Sequence, residues 1–352
     1  MLSGGSLAAA AVKAERKSQA VPTGSEFARF ADPTTETIIV RLTSPAHANI
    51  LPATTNRFIS LKPRVLFCSS DRAGKMSPFQ IDLRSGVIRQ LAETNALDPS
   101  SLTLDAQGRS LYFLDGGALS EITLTGRREL KHANVLASNI TSFGIESRTE
   151  IFGIRGRQLL KVQGDGSTLL AENAEGPCLV RPGGRGCLFC RTLSSDEQEF
   201  RYAPANTGSV PTLLARGRVS GPCWSNDGES IMFLRDVPKN DVFLSEVHEV
   251  KPEEGKERCV SKTSQFAAFA PNEDDSVFVG ASRSRAQPNV IILLRSTQRE
   301  LTLCEHHASH PAQVRPAFSA DSRRVYFQSD REGKSAIYSV NVEQLVEPTS
   351  AL

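Results

Sequence analysis

Aromatic residues are scarce in this 352-residue chain, at 6% with a single Trp. A surface that stacks unpaired bases interleaves aromatics with basic side chains, so nucleic acid is not an expected partner. Charge of one sign is missing as well. The 41 Lys and Arg against 39 Asp and Glu leave +2, which gives no global field toward nucleic acid or an anionic membrane. An anionic ligand must therefore be gripped by a local cluster. No apolar run is long enough to span a bilayer. A phosphate-cradling Gly-rich loop and a G-x-S-x-G followed by a His are also absent, against nucleotide-dependent chemistry and hydrolase triads.

Cysteines are few and odd in number: Cys68, Cys178, Cys187, Cys190, Cys223, Cys259 and Cys304. Scattered through strand-like runs, they argue against a complete disulfide framework. Cys187 and Cys190 have C-x-x-C spacing, but in a strand these two side chains fall on opposite faces. Residues 1–35 read as a leader and linker. The first fifteen resemble the rear half of an export signal, with a disordered tail as the alternative. A periplasmic or secreted location is the expectation, with a cytoplasmic one as the alternative.

What is present is a repeat. Pro316 to Val340 splits into three short strands, Ala317 to Ser319, Val325 to Ser329 and Ala336 to Val340, because β-branched and aromatic residues cluster there between Asp, Ser, Arg and Gly turns. The pattern recurs upstream around Phe67, Phe113, Phe152, Phe189, Phe233, Phe278 and Phe327. Successive spacings of 46, 39, 37, 44, 45 and 49 residues match the length of a four-stranded propeller blade. Ser70-Asp71-Arg72-Ala73-Gly74-Lys75 repeats as Ser329-Asp330-Arg331-Glu332-Gly333-Lys334, and Trp224-Ser225-Asn226-Asp227-Gly228 repeats as Phe318-Ser319-Ala320-Asp321-Ser322. The expected fold is an all-β, seven-bladed β-propeller over residues 36–345, followed by a tail at 346–352. Six blades is the alternative, since the modules around Phe152 and Phe189 are the most eroded. A strand at Thr37 to Leu42 has no blade of its own, so it is expected to complete the last blade and close the ring.

Propellers hold ligands where the inner strands converge. The segment ahead of the last inner strand, Cys304 to Arg315, carries three of the six His together with Gln313 and Arg315. Imidazole and amide oxygen suit a divalent ion such as Mn or Zn. His47, Asn49 and Arg57 precede the first inner strand, which a closed ring places beside that segment. His132 and His248 read as packed or hydrated histidines. The Ser-Asp-Arg-x-Gly turns read as folding devices rather than as a carboxylate grip.

On these residues the chain resembles the oligogalacturonate lyase group of propellers and, more distantly, the TolB-like propellers. The likeness rests on Arg41-Leu42-Thr43-Ser44-Pro45, on Leu66-Phe67 through Asp71-Arg72 to Ile81-Asp82-Leu83-Arg84-Ser85-Gly86, on Trp224 to Gly228, and on Pro316 to Tyr338. It implies β-elimination of short galacturonides in pectin breakdown, with Mn2+ held by three His and a Gln. A cation neutralises the uronate carboxylate, which acidifies C5–H, and a base removes that proton. The family's Gln followed by two His falls here on His310, Gln313 and Arg315, and no His falls near Phe266, where the remaining ligand belongs. The resemblance thus assigns metal binding to His310 and Gln313, catalysis to His47, Arg57 and Arg315, and substrate binding to His307, Arg315 and Arg57. The alternative is a non-catalytic TolB-like propeller that binds a glycan or protein partner. In either case the expected partner at the funnel is an acidic oligosaccharide or a protein, and the expected state is a monomer.

Overall fold

Strands dominate because apolar and polar residues alternate in short runs that Gly, Asp and Asn turns interrupt. The computed structural model describes residues 23–345 apart from 62–63, 125–131, 164–165, 207, 241 and 264. Most of the leader, up to residue 22, and the tail at 346–352 lie outside the described residues.

The strands form seven antiparallel sheets, one per blade. The seven phenylalanines that mark the repeat sit on the second strand of each blade and are at most 3% exposed. Burying each contributes about 1.5–3 kcal/mol, and the packing is between blades rather than within them. Apolar clusters join blades two and three, three and four, four and five, five and six, and six and seven. The largest cluster runs from Tyr326 and Ile337 of blade seven through Phe67 of blade one to Phe113 of blade two. Every blade face is thereby covered by a neighbour. The eroded modules are complete blades: Ser142–Ser147 begins blade three and Glu175–Val180 begins blade four.

In blade seven Ala317–Phe318, Arg324–Ser329 and Ala336–Asn341 are followed in space by Ile38–Arg41, which pairs antiparallel with Ala336–Asn341 so that Ile39 faces Val340. Ala28–Ala31 adds a further strand outside it. The sheet therefore starts ahead of the boundary expected at residue 36, inside a stretch that reads as linker. Phe30 accounts for this, since its ring meets Tyr338 edge-on at 6.4 Å and gives an otherwise polar segment something to bury.

Blade one departs from the repeat. Its inner strand is in two pieces, Asn49–Ile50 and Ile59–Leu61, each paired to Arg64–Ser70. Residues 51–58 leave the sheet between them and cross toward blade two, where the Ala53 amide and the Asn56 Nδ2 both bond to Ser100 O.

Candidate functional site

Where the inner strands end, the ring encloses a cavity of about 650 Å³. All seven blades line it, among them Arg57, Asp105, Ile145, Val180, Asn226, Pro271 and Ala320. It is the lower half of the central channel, on the side where each inner strand turns into the second. Its wall mixes polar side chains, Thr54, Thr55, Asn56, Gln107 and Asn226 among them, with apolar ones such as Phe58, Leu104, Val180 and Trp224.

Arg57 is fixed at this mouth. One guanidinium nitrogen donates to Glu146 Oε2 at 2.6 Å and another to Ile145 O at 3.2 Å, so the positive charge is already answered. Across the mouth Asn226 donates its amide to Asp275 Oδ2 at 3.1 Å and its Nδ2 to Asn272 O at 2.7 Å. Burial pushes the Asp275 carboxyl up to about 6, with Asp227 adding to the shift against the opposing Asn226 bonds. Trp224 is held by a bond from Nε1 to Leu179 O and by the Arg181 guanidinium 5.4 Å over its ring.

The segment Cys304 to Arg315 lies at the opposite mouth, and the structure separates its members. His306 is fully buried, with Nε2 3.2 Å from Ser282 O and Nδ1 accepting the Ala308 amide at 3.0 Å. It ties blade six to blade seven. His307 turns back to Glu305, Nε2 to Oε2 2.7 Å. His310 stands at the start of the short 3-10 turn Pro311–Gln313, where its carbonyl accepts the Gln313 amide at 2.9 Å and its side chain makes no capping bond. Arg315 takes a positive φ of 50° and donates to the carbonyl of Leu51, which joins blade seven to blade one. Burial holds its guanidinium pKa below the usual value, with only the distant Asp98 opposing.

His47 stands 3.6 Å from Asp71 Oδ1, and Asp71 also receives Lys334 Nζ at 2.8 Å. His47 and Lys334 thus meet at one carboxylate, which ties the approach to blade one to the Asp330 to Lys334 turn. Arg57 does not join them, because residues 51–58 carry it to the other mouth. The excursion has a sequence signal, Pro52 followed by Thr54-Thr55-Asn56, which reads as turn-forming chain rather than as an approach to a strand. Neither the cavity nor its Asn56, Gln107 and Asn226 follows from motif spacing, since residues from seven blades far apart in sequence make it.

Cys187 and Cys190 do lie on opposite faces, in the clusters toward blade three and toward blade five respectively. Cys187 instead meets Cys178, Sγ to Sγ 3.1 Å. His132 is exposed. His248 sits between Glu246 and Glu257 on blade five.

The seven-bladed propeller defined by these sheets is a ligand-binding architecture used for many purposes. No protein-family profile matches the chain, and no curated protein matches it in sequence. Among solved structures, an oligogalacturonate lyase in complex with manganese superposes with a TM-score of 0.78 at 16% identity, over 92% of this chain and 98% of that one. The oligogalacturonate lyase of Vibrio parahaemolyticus gives 0.80 at 17% identity, over 95% of this chain and all of its own. TolB from Acinetobacter baumannii gives 0.50 at 12% identity, over 92% and 80%. The chain has the propeller fold of these proteins.

The manganese of the first neighbour raises the question of whether the corresponding donors are present. His310 and Gln313 provide one imidazole and one amide, and Arg315 holds the third position with a cation turned to a backbone carbonyl. Among the described residues, no second His, Cys or carboxylate pair completes a three-donor group with His310. The residues of this loop do not fit a manganese centre. No described helix is long and apolar enough to cross a membrane.

Proposed function

We propose that the protein is a non-catalytic binding propeller, which takes a neutral, hydroxyl-rich glycan into the central cavity from the mouth ringed by Arg57, Gln107, Asn226 and Ala320. The observation that carries this reading is the state of the groups suited to catalysis. Of the two guanidinium groups that β-elimination needs free to meet a uronate, Arg57 is paired with Glu146 and Ile145 O, Arg315 is sequestered by burial and donates to Leu51 O, and they face opposite ends of the channel. Thr54, Thr55, Asn56, Gln107 and Asn226 offer donors and acceptors to a sugar's hydroxyls, the apolar part of the wall meets its C–H faces, and Arg57 and Asp105 leave no net charge to attract a uronate.

Binding is tested by calorimetry with neutral and uronate oligosaccharides on the wild type and on Ala320→Trp, which places an indole across the mouth. Affinity for a neutral oligosaccharide, lost in Ala320→Trp, supports the proposal. A parallel incubation with digalacturonate, with and without Mn2+, follows the absorbance of the unsaturated product. Its appearance in the wild type overturns the proposal in favour of the lyase reading, and binding unaffected by Ala320→Trp overturns the cavity as the site.

A further inference from the structure

Away from the channel, blade five gathers donors of a different kind. Val242–Val250 and Glu257–Lys262 pair with His248 opposite Cys259, so Glu246, His248, Glu257 and Cys259 share one face of the two-strand ladder. The His248 Nε2 lies 3.0 Å from Glu246 Oε2. One donor atom each from Glu246, His248 and Cys259 falls within 4.8 Å of the other two, and these residues form the one such group among the described residues.

The second ring nitrogen of His248 is committed elsewhere. Nδ1 is 2.7 Å from Glu257 Oε1, an ion-pair distance although its hydrogen is off the line of a good bond. Glu257 is in turn gripped by two nitrogens of Arg235, and Phe233 packs 6.0 Å from the imidazole. A carboxylate behind a histidine, itself anchored by an arginine, is the arrangement that fixes ring orientation and leaves Nε2 as the ligand. Nε2 points at Glu246, and cross-strand Cys259 is exposed, so the open side of the group is reachable from solvent.

We propose that Glu246, His248 and Cys259 form a zinc site, with Glu257 as the positioning residue behind His248 and water in the fourth place. Thiolate, imidazole and carboxylate together select zinc over magnesium, calcium or manganese. Zinc at about 2.0–2.3 Å from each donor needs the donors roughly 3.3–3.8 Å apart, which rotation of the Glu246 and Cys259 side chains can supply. Zn2+ takes the place of protons: binding expels the Cys259 thiol proton and any proton on Nε2, the sulfur becoming a thiolate ligand. Arg235 and Lys262 are the nearby cations. Arg235 is neutralised by Glu257, and Lys262 ends the ladder beyond Cys259.

The test is calorimetric titration of the metal-free full-length protein with Zn2+, alongside Co2+ as a spectroscopic probe. One equivalent of Zn2+ is expected, with at least tenfold weaker binding in Cys259→Ser. The Cys259 side chain is exposed, so this variant keeps its melting temperature without metal. Glu257→Gln is expected to weaken Zn2+ roughly 10- to 100-fold while the site retains its stoichiometry. Co2+ should give a thiolate charge-transfer band in the near ultraviolet that Cys259→Ser abolishes. No Zn2+ uptake, or uptake with unchanged affinity and an unchanged cobalt spectrum in Cys259→Ser, overturns the proposal.

Discussion

The Asp330 carboxylate receives the backbone amide of Ser309 at 2.8 Å, and in blade one Asp71 receives the amide of Ala48 at 2.9 Å in the same way. Both aspartates are the middle residue of Ser-Asp-Arg, and both amides belong to the loop that enters the inner strand of the same blade. The repeated tripeptide is therefore a clamp between a turn and the loop beside it. Burial opposes ionisation of Asp330, but the Ser309 amide and hydroxyl together with the remaining hydrogen bonds outweigh it and hold the carboxyl below its ordinary range. Asp330→Ala should destabilise the protein by about 1–2 kcal/mol, since a bond to a charged acceptor is lost. Asp330→Asn, which keeps an oxygen acceptor, should cost less. Urea denaturation checks both, and equal losses for Ala and Asn would remove the clamp from the account.

Ring closure depends on one side chain more than on its neighbour. Ile39 is fully buried between Val340 and blade six, whereas Ile38 is 56% exposed on the same strand. Ile39→Ala should cost about 2–5 kcal/mol through the lost burial and the cavity left behind. Ile38→Ala should stay within about 0.5 kcal/mol. Thermal melting of the two variants measures the difference, and similar melting temperatures would mean that this strand contributes little to closure.

Blade six carries a tighter constraint. Gly280 faces the ring of Phe266, and a Cβ added there would sit inside the van der Waals surface of that ring. Phe266 is fully buried and cannot withdraw. Gly280→Ala should lower stability by about 1–3 kcal/mol, against the usual gain of replacing a strand glycine. A chemical denaturation midpoint at or above that of the wild type would contradict the packing.

Much of this architecture is written locally. The seven phenylalanines needed only their own neighbours to be recognised as second strands, because a half-buried strand leaves its signature in a window of a few residues. Even Phe152 and Phe189, in the least regular modules, mark true blades. Arg57 was another matter. Whether residues 51–58 stay in the sheet or swing across the channel is decided by bonds to Ser100 and Glu146, dozens of positions away, and no local pattern reports those partners. The same holds for Ala28–Ala31, whose strand exists because Tyr338 offers Phe30 a surface. Ring closure brings His47 near the Asp330 to Lys334 turn, through the Asp71 that both His47 and Lys334 approach, because the closing segment leads directly into residue 47.

A buried and a half-buried group give the stability of the protein opposite dependences on pH. His306 is held neutral: burial lowers its pKa below the ordinary 6.5, outweighing the bond to Ser282 O, and its Nδ1 faces the Ala308 N–H, where a second ring proton has no acceptor. The unfolded chain then binds the proton more readily than the folded one, so stability is complete above about pH 6.5 and falls as the pH drops below it. Asp275 behaves in reverse. Its carboxyl is raised from 3.8 to about 6 by burial, so folding disfavours the charged form, and stability is lost as the pH rises from the unfolded value through about 6. The acid limb should flatten in His306→Gln, at the cost of a lower melting temperature throughout. The alkaline limb should flatten in Asp275→Asn, and this variant should melt higher than the wild type near neutral pH, since Asn tolerates the positive φ of 58° at that position and keeps an acceptor for Asn226. Melting curves between about pH 3.5 and 8 decide the matter. An Asp275→Asn protein that melts lower than the wild type at neutral pH would show that the carboxylate is stabilised by its Asn226 bonds rather than strained by its burial.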